Sequence, residues 1–357
     1  MSELTVKINE SSKSYPIYIN NDDIDNLQTS ILSFVGENNY IVIFSEKVYR
    51  LYGKVLKFPR ENIFILKDGE AEKNIKNYEK ILNFALSKKL TRQDYIIGIG
   101  GGVVGDISGF VASTYMRGIN FIQIPTTLLA CTDSSVGGKT AINTKLGKNL
   151  IGSFYQPKAV FINVNFLKTL DKRQFKSGLG EVIKYAFIEK SCKADIDFNL
   201  ISFLNVNKDK IFNRDILTLI ELIEICIKLK ISVVSRDEKE SGLRRILNFG
   251  HTYAHALETI TNYNKYTHGE CVAQGVLKAI EISSNLGKID KEYKFLCEDL
   301  INKFDFIKIP KFDKNKIIKI ILSDKKACLD GVKFILSNAY ASVEEYLFTQ
   351  EDLKNIL

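Results

Sequence analysis

The stretch YIIGIGGGVVGD, Tyr95 to Asp106, decides the fold. Tyr95 to Ile99 is an unbroken apolar run of strand length, and a strand apolar at every position is buried on both faces. Behind it come Gly100, Gly102 and Gly105 in G-x-G-x-x-G spacing, ahead of a helical stretch, Val103 to Ser113. Glycines there let the backbone turn tightly and approach a pyrophosphate, whose charge is met by N–H groups at the helix start. Glycine-rich turns are common in α/β proteins. This one comes late in the chain with no acid about 20 residues on, so it is not the usual first βα turn of a dinucleotide domain.

Outward from this stretch the same texture repeats. Tyr40 to Phe44 (YIVIF), Asn62 to Leu66 (NIFIL), Phe121 to Ile124 and Ala159 to Val164 are further apolar runs of strand length. Ala71 to Lys89 reads as a helix with Ile75, Tyr78, Ile81, Leu82 and Ala85 on one face. The pattern predicts a mostly parallel, Rossmann-like sheet with helices on both sides. Upstream, Leu4 to Ile8 and Tyr15 to Ile19 flank polar NESSKS and read as a hairpin. Beyond Asp171 helices take over: Arg214 to Val234, Gly250 to Thr259, Glu270 to Leu286 and Lys291 to Lys303, with only Lys333 to Leu336 extended. The expectation is an α/β domain over residues 1–172 and a predominantly α-helical domain over 173–357, with the active site in the cleft between them.

Composition agrees with a globular protein of two ordinary domains: 357 residues, 45% hydrophobic and 26% charged. There is no run of 18 apolar residues, and MSELTVKINE is not a signal peptide, so a cytoplasmic location without a membrane partner is expected. The six cysteines show no C-x-x-C spacing, which argues against a zinc ribbon or a disulfide framework. The net charge of +8 comes from lysines spread along the chain among 42 acidic residues, a solvated surface rather than a nucleic-acid footprint.

The three histidines, His251, His255 and His268, all fall in one short window, LNFGHTYAHALE followed by HGE. A divalent metal takes imidazole and carboxylate donors at about 2.0–2.2 Å, and a catalytic site leaves one position open. Glu181 in GLGEVIK, with His251 and His268, can supply such a three-ligand set. His251 and His255 are four apart and share one helix face, which two ordinary hydrogen-bonded helix histidines would also do. The clustering favours a site.

Together with GIGGGVVGD (Gly98 to Asp106), IPTTLLACTDSSVGGKTAIN (Ile124 to Asn143) and GKNLIGSFYQP (Gly147 to Pro157), these stretches resemble the 3-dehydroquinate synthases, members of the sugar phosphate cyclases. The likeness runs from about Asp68 to Lys326. It implies that the glycine loop (Gly101, Gly102, Val103, Val104, Gly105 and Asp106) cradles NAD. Further cofactor contacts are implied for Asp68, Gly69, Glu70 and Lys73, for Thr126 and Thr127, for Asp133, Lys139 and Lys148, and for Phe166, Leu167, Lys168 and Thr169. Asp106 and Asp133 have an alternative reading as structural partners of the loop or of a nearby lysine. Ser45 stands where family members often carry an acid or amide towards the adenosine, which predicts a weaker or different contact.

The resemblance also places Arg117, Asn149, Lys184, Lys230, Arg244, Asn248 and Lys326 around a substrate with one phosphate and one carboxylate. Guanidinium groups suit both anions. Asn248 is equally a candidate helix cap. Glu181, His251 and His268 would hold zinc, or cobalt; His255 would support a ligand or handle a proton. The implied reaction converts 3-deoxy-D-arabino-heptulosonate 7-phosphate to 3-dehydroquinate and phosphate. A hydride goes to NAD and returns, the departing phosphate serves as base, and an intramolecular aldol closes the ring. The family is commonly homodimeric. Competing readings are a cyclase for a substrate lacking the carboxylate, against which Arg244 and Asn248 in GLRRILNFGH argue, and a polyol or glycerol-type dehydrogenase.

Overall fold

The computed structural model describes residues 2–6, 14–323, 327–328 and 331–357, with the side chains of 327–328 left aside. It divides into two compact units, residues 1–170 with 216–235, and residues 171–215 with 236–357. The helix at 216–234 therefore groups with the first unit, although it follows the expected boundary.

The first unit holds β1 (Ser2–Val6), β2 (Tyr15–Asn20), α1 (Ile24–Val35), β3 (Tyr40–Ser45), α2 (Glu46–Leu56), β4 (Ile63–Leu66), α3 (Ile75–Ser87), β5 (Tyr95–Gly100), α4 (Gly102–Thr114), β6 (Asn120–Pro125), β7 (Lys139–Thr144), β8 (Gly147–Phe154) and β9 (Ala159–Asn163). The second and the returning helix hold α5 (Lys172–Ile188), α6 (Leu200–Phe212), α7 (Ile216–Val234), α8 (His251–Ile260), α9 (His268–Asn285), α10 (Lys291–Lys303), α11 (Lys314–Ser323), β10 (Ala327–Cys328), β11 (Gly331–Ala339), β12 (Ser342–Phe348) and α12 (Gln350–Ile356).

Seven strands form one sheet in the order β1-β2-β9-β6-β5-β3-β4, parallel except for β1, which pairs antiparallel with β2. The continuous apolar runs are explained by the two faces. Ile41 and Ile43 enter a core with Ile81 and Ala85 of α3 and Ile107 and Val111 of α4. Val42 and Phe44, which alternate with them, enter another with Leu27 and Ile31 of α1 and Leu56 of α2. Each strand is apolar throughout because each face has its own helical layer.

Two features depart from expectation. Lys139–Thr144 and Gly147–Phe154 pair as a separate two-stranded antiparallel ribbon, which the strand pattern of the sequence did not include. Within the predominantly helical second unit, β10, β11 and β12 form a three-stranded antiparallel sheet, of which only part of β11 was read from sequence. The helix read as Ala71 to Lys89 begins at Ile75, because the Asn74 side chain accepts the Asn77 amide as its cap.

Candidate metal centre and cofactor edge

Parallel pairing gathers the loops of the first unit. Since β4, β3, β5, β6 and β9 run the same way, Ser45 at the end of β3 and Asp68, Gly101, Thr126 and the segment Phe166 to Thr169 just past the carboxyl ends of the others lie along one edge of the sheet. That edge is where open α/β sheets take ligands. Gly101 is the N-cap of α4, so the first amides of that helix point out of the glycine loop. Gly105 gives room to the Gln123 side chain: a Cβ there would stand 2.0 Å from Gln123 Nε2, so the amide would have to move aside.

The expected cofactor residues prove to be tied to one another. Lys73, 3% exposed, places Nζ 2.5 Å from Asp106 Oδ2 and 3.7 Å from Glu70 Oε1. Burial opposes the Lys73 charge, but the two carboxylates outweigh it and raise its pKa. Asn143 donates to Glu70 Oε1 at 2.7 Å and accepts the Asn149 amide at 3.0 Å, so the end of the ribbon carrying Asn149 docks beside Glu70 and Lys73. Asp133 takes Lys230 Nζ of α7 at 2.9 Å through Oδ1. Asp106 and Asp133 thus each hold a lysine.

Phe166 and Leu167 are buried, main chain and side chain alike. Thr169 Oγ1 lies 2.7 Å from the hydroxyl of Tyr52, a residue the sequence did not single out. Ser45 turns inward and accepts the Val48 amide as the cap of α2, while the neighbouring Lys47 amide donates to Asp68 Oδ2 at 2.9 Å. Lys139 starts β7 and Lys148 lies in β8, both in the ribbon. Arg117 is not brought to this edge. It follows α4, which runs back along the sheet, and precedes β6, so it sits exposed at the amino ends of the strands, with φ 65°.

In the second unit three helices converge through glycine contacts. A Cβ on Gly180 of α5 would lie 2.2 Å from the Gly269 carbonyl oxygen, and one on Gly269 of α9 only 1.7 Å from that of Ser177. Gly250, at φ 78°, and Gly275 let the start of α8 meet α9 equally closely. These approaches set Glu181, His251 and His268, one from each helix, around a common point.

Glu181 Oε1 lies 3.2 Å from His251 Nε2 and 3.0 Å from His268 Nε2, and among the described residues these three donors lie within 4.8 Å of one another. Glu181 Oε2 faces Lys184 Nζ at 2.5 Å, one helical turn on, with both side chains almost fully buried. His251 Nδ1 is 3.1 Å from the Phe249 carbonyl and His268 Nδ1 is 3.4 Å from Glu258 Oε1. An Nδ1 proton given to those oxygens leaves each Nε2 lone pair aimed at a carboxylate, which a shared cation satisfies. The separations are also close to the roughly 3.4 Å edge of a tetrahedron with ~2.1 Å bonds. The donor set fits a divalent metal.

Charges agree with geometry. Burial opposes ionisation of Glu181, yet Lys184, His251 and His268 hold its carboxyl well below the usual range. Burial, with the nearby Lys184 and His268, lowers His251 against the pull of Glu181. Burial also works against a charged His268, but Glu258 and Glu181 outweigh it and push it up to about 10. His255 stands beside these three donors, its ring 5.6 Å from that of His251 and 6.5 Å from that of His268, outside the three-donor set.

Arg244 and Asn248 lie in the 3-10 segment Leu243–Asn248 that leads into α8. The Arg244 guanidinium, 1% exposed, donates to the Glu238 carbonyl, and Asn248 donates to Glu240 Oε1 at 2.5 Å. Asn248 is not the cap of α8; Gly250 is. Lys326 lies outside the described residues. Glu258 and Glu240 were missed from sequence, although Glu258 is seven residues after His251, on the same helix face.

The sequence profiles described as 3-dehydroquinate synthase N-terminal and C-terminal match residues 63–177 and 178–327. A 3-dehydroquinate synthase of Alkaliphilus metalliredigens (strain QYMF) is 40% identical over 362 residues, covering 100% of this chain and 98% of its own. One of Prochlorococcus marinus subsp. pastoris is 42% identical over 337 residues, 91% of each chain. Among solved structures, a 2-deoxy-scyllo-inosose synthase complexed with carbaglucose-6-phosphate, NAD+ and Co2+ superposes with a TM-score of 0.83 at 25% identity, covering 99% of both chains. No described helix is long and apolar enough to cross a membrane. By full-length sequence and by both matched halves, this chain belongs to the 3-dehydroquinate synthase family.

Proposed function

We propose that the protein converts 3-deoxy-D-arabino-heptulosonate 7-phosphate to 3-dehydroquinate and phosphate, acting as a phosphate-eliminating carbon–oxygen lyase with NAD recycled in each turnover. The observation that carries the reading is the convergence of Glu181 Oε1 and the Nε2 atoms of His251 and His268, on a chain matched end to end by 3-dehydroquinate synthases. A divalent metal held there supplies Lewis acidity to a substrate hydroxyl, and NAD supplies reversible hydride removal.

The chain's own residues do the rest. Glu181 stays ionised through Lys184, His251 and His268. Lys184 and Arg244, both fixed and buried, offer cations to developing or resident anionic charge at no reorganisation cost. Lys230, anchored on Asp133, and Asn149, anchored through Asn143, are proposed substrate contacts. Amides at the start of α4 and the side chains along the sheet edge are the proposed NAD contacts. The reading makes the protein a cytoplasmic enzyme and, by family precedent, a homodimer.

Incubation with the heptulosonate phosphate and catalytic NAD tests the reading. Phosphate release without net NADH, abolished by a chelator and restored by zinc or cobalt, is expected. NADH formed in proportion to product would instead indicate a dehydrogenase, and turnover confined to a sugar phosphate without a carboxylate would indicate another cyclase.

A further inference from the structure

Between α7 and the 3-10 segment that carries Arg244, the chain closes on a single carboxylate. Asp237 Oδ1 accepts the Ser241 amide at 2.9 Å and the Ser241 hydroxyl at 3.1 Å; Oδ2 accepts the Gly242 amide at 2.7 Å and the Arg244 amide at 2.9 Å. The Asp237 residue is 9% exposed. Four donors on one buried carboxylate fold residues 237–244 into a ring around it, since each bond made away from water restrains the backbone that supplies it. Arg244 is held at both ends by this ring. Its amide goes to Asp237, and its guanidinium donates to the carbonyl of Glu238, the residue after Asp237.

We propose that Asp237 is a positioning residue that presents the Arg244 guanidinium at one place and angle to an anionic group of the substrate. The inference rests on the proposed function, in which Arg244 meets a substrate anion. A planar fork binds a carboxylate or phosphate well only in a narrow geometry, so a shift of about 1 Å in its base is enough to weaken the contact. Asp237 itself touches no substrate.

The test uses the full chain loaded with zinc and NAD and compares Asp237→Ala, Asp237→Asn, Arg244→Ala and the Asp237→Ala/Arg244→Ala double variant. Asp237→Ala is expected to raise KM for the heptulosonate phosphate between about 10- and 100-fold. The kcat should change much less, because uniform binding is what is lost. In the Arg244→Ala background the same change should raise KM less than about twofold, the coupling expected of groups that act as a unit. Asp237→Asn, which keeps the size and one acceptor, should fall between wild type and Asp237→Ala, and it carries the test should the alanine variant not fold. Equal KM effects with and without Arg244, or a wild-type KM in Asp237→Ala or Asp237→Asn, would overturn the proposal while leaving the function standing. A wild-type KM in Arg244→Ala would overturn the role of Arg244, and this proposal with it.

Discussion

Glu181 is a carboxylate with almost no solvent, held between two imidazole nitrogens and an ammonium. Such a group remains charged only because its neighbours outweigh the cost of burial. Its neighbour His268 carries the opposite perturbation, raised to about 10 by Glu258 and Glu181 against burial. The metal-free ring is therefore protonated at neutral pH, and a metal must displace that proton to reach Nε2. Calorimetry of zinc binding in buffers of different ionisation enthalpy should show release of about one proton at pH 7, with affinity rising as pH rises. Binding without proton release would contradict it. His255, outside the donor set, should be separable from the ligands: His255→Ala keeps its zinc while losing turnover, and loss of the metal would make His255 a ligand. The grouping of Glu181, His251 and His268 was legible in the sequence because histidine is so scarce here. Glu258 and Glu240 were not, since acidic side chains are common and their partners come from other segments.

The helices meet because of glycine, not in spite of it. Gly180 and Gly269 allow backbone contact between α5 and α9 that no Cβ permits. Gly180→Ala or Gly269→Ala should cost about 3 kcal/mol or more, as overpacking against backbone carbonyls cannot relax through a side chain; an unchanged urea midpoint in either would contradict this packing. The start of α9 has its own clamp. Arg173 of α5 reaches Glu270 with two bonds of 2.9 Å each, while Thr267 and Glu270 form a capping box beside His268. Burial opposes the Glu270 charge, but Arg173 and Thr267 hold its pKa below the usual carboxylate range.

A depressed carboxylate contributes stability above its unfolded pKa, near about 4.3, and loses it as pH falls through the folded value. Arg173→Ala should thus lower the urea midpoint at neutral pH and change it much less near about pH 3. Equal losses at both would place the effect elsewhere. At this scale the parallel strands were readable, since Ile41 to Phe44 and their partners are apolar on both faces. The ribbon of Lys139–Thr144 and Gly147–Phe154 was not, because its second strand is largely exposed and carries no burial pattern. β12, SVEEYLF, was hidden because it is mostly half-buried with no alternation between its faces.

Across the whole molecule, each compact unit has its own chemistry. The first collects strand ends, a glycine loop and anchored lysines along one sheet edge; the second collects three helices on one point. The sequence made the change of texture near Asp171 visible, but not the return of α7 to the first unit, where Lys230 meets Asp133. An apolar helix carries no mark of which core it joins. The cyclase account needs the second unit to hold one metal by residues from three helices. Zinc content after loading and desalting, measured by mass spectrometry on wild type and on Glu181→Gln, His251→Ala and His268→Ala, tests this directly. The prediction is about one ion per wild-type chain and a loss of most of it in every variant; full zinc retention in any of the three would contradict the account.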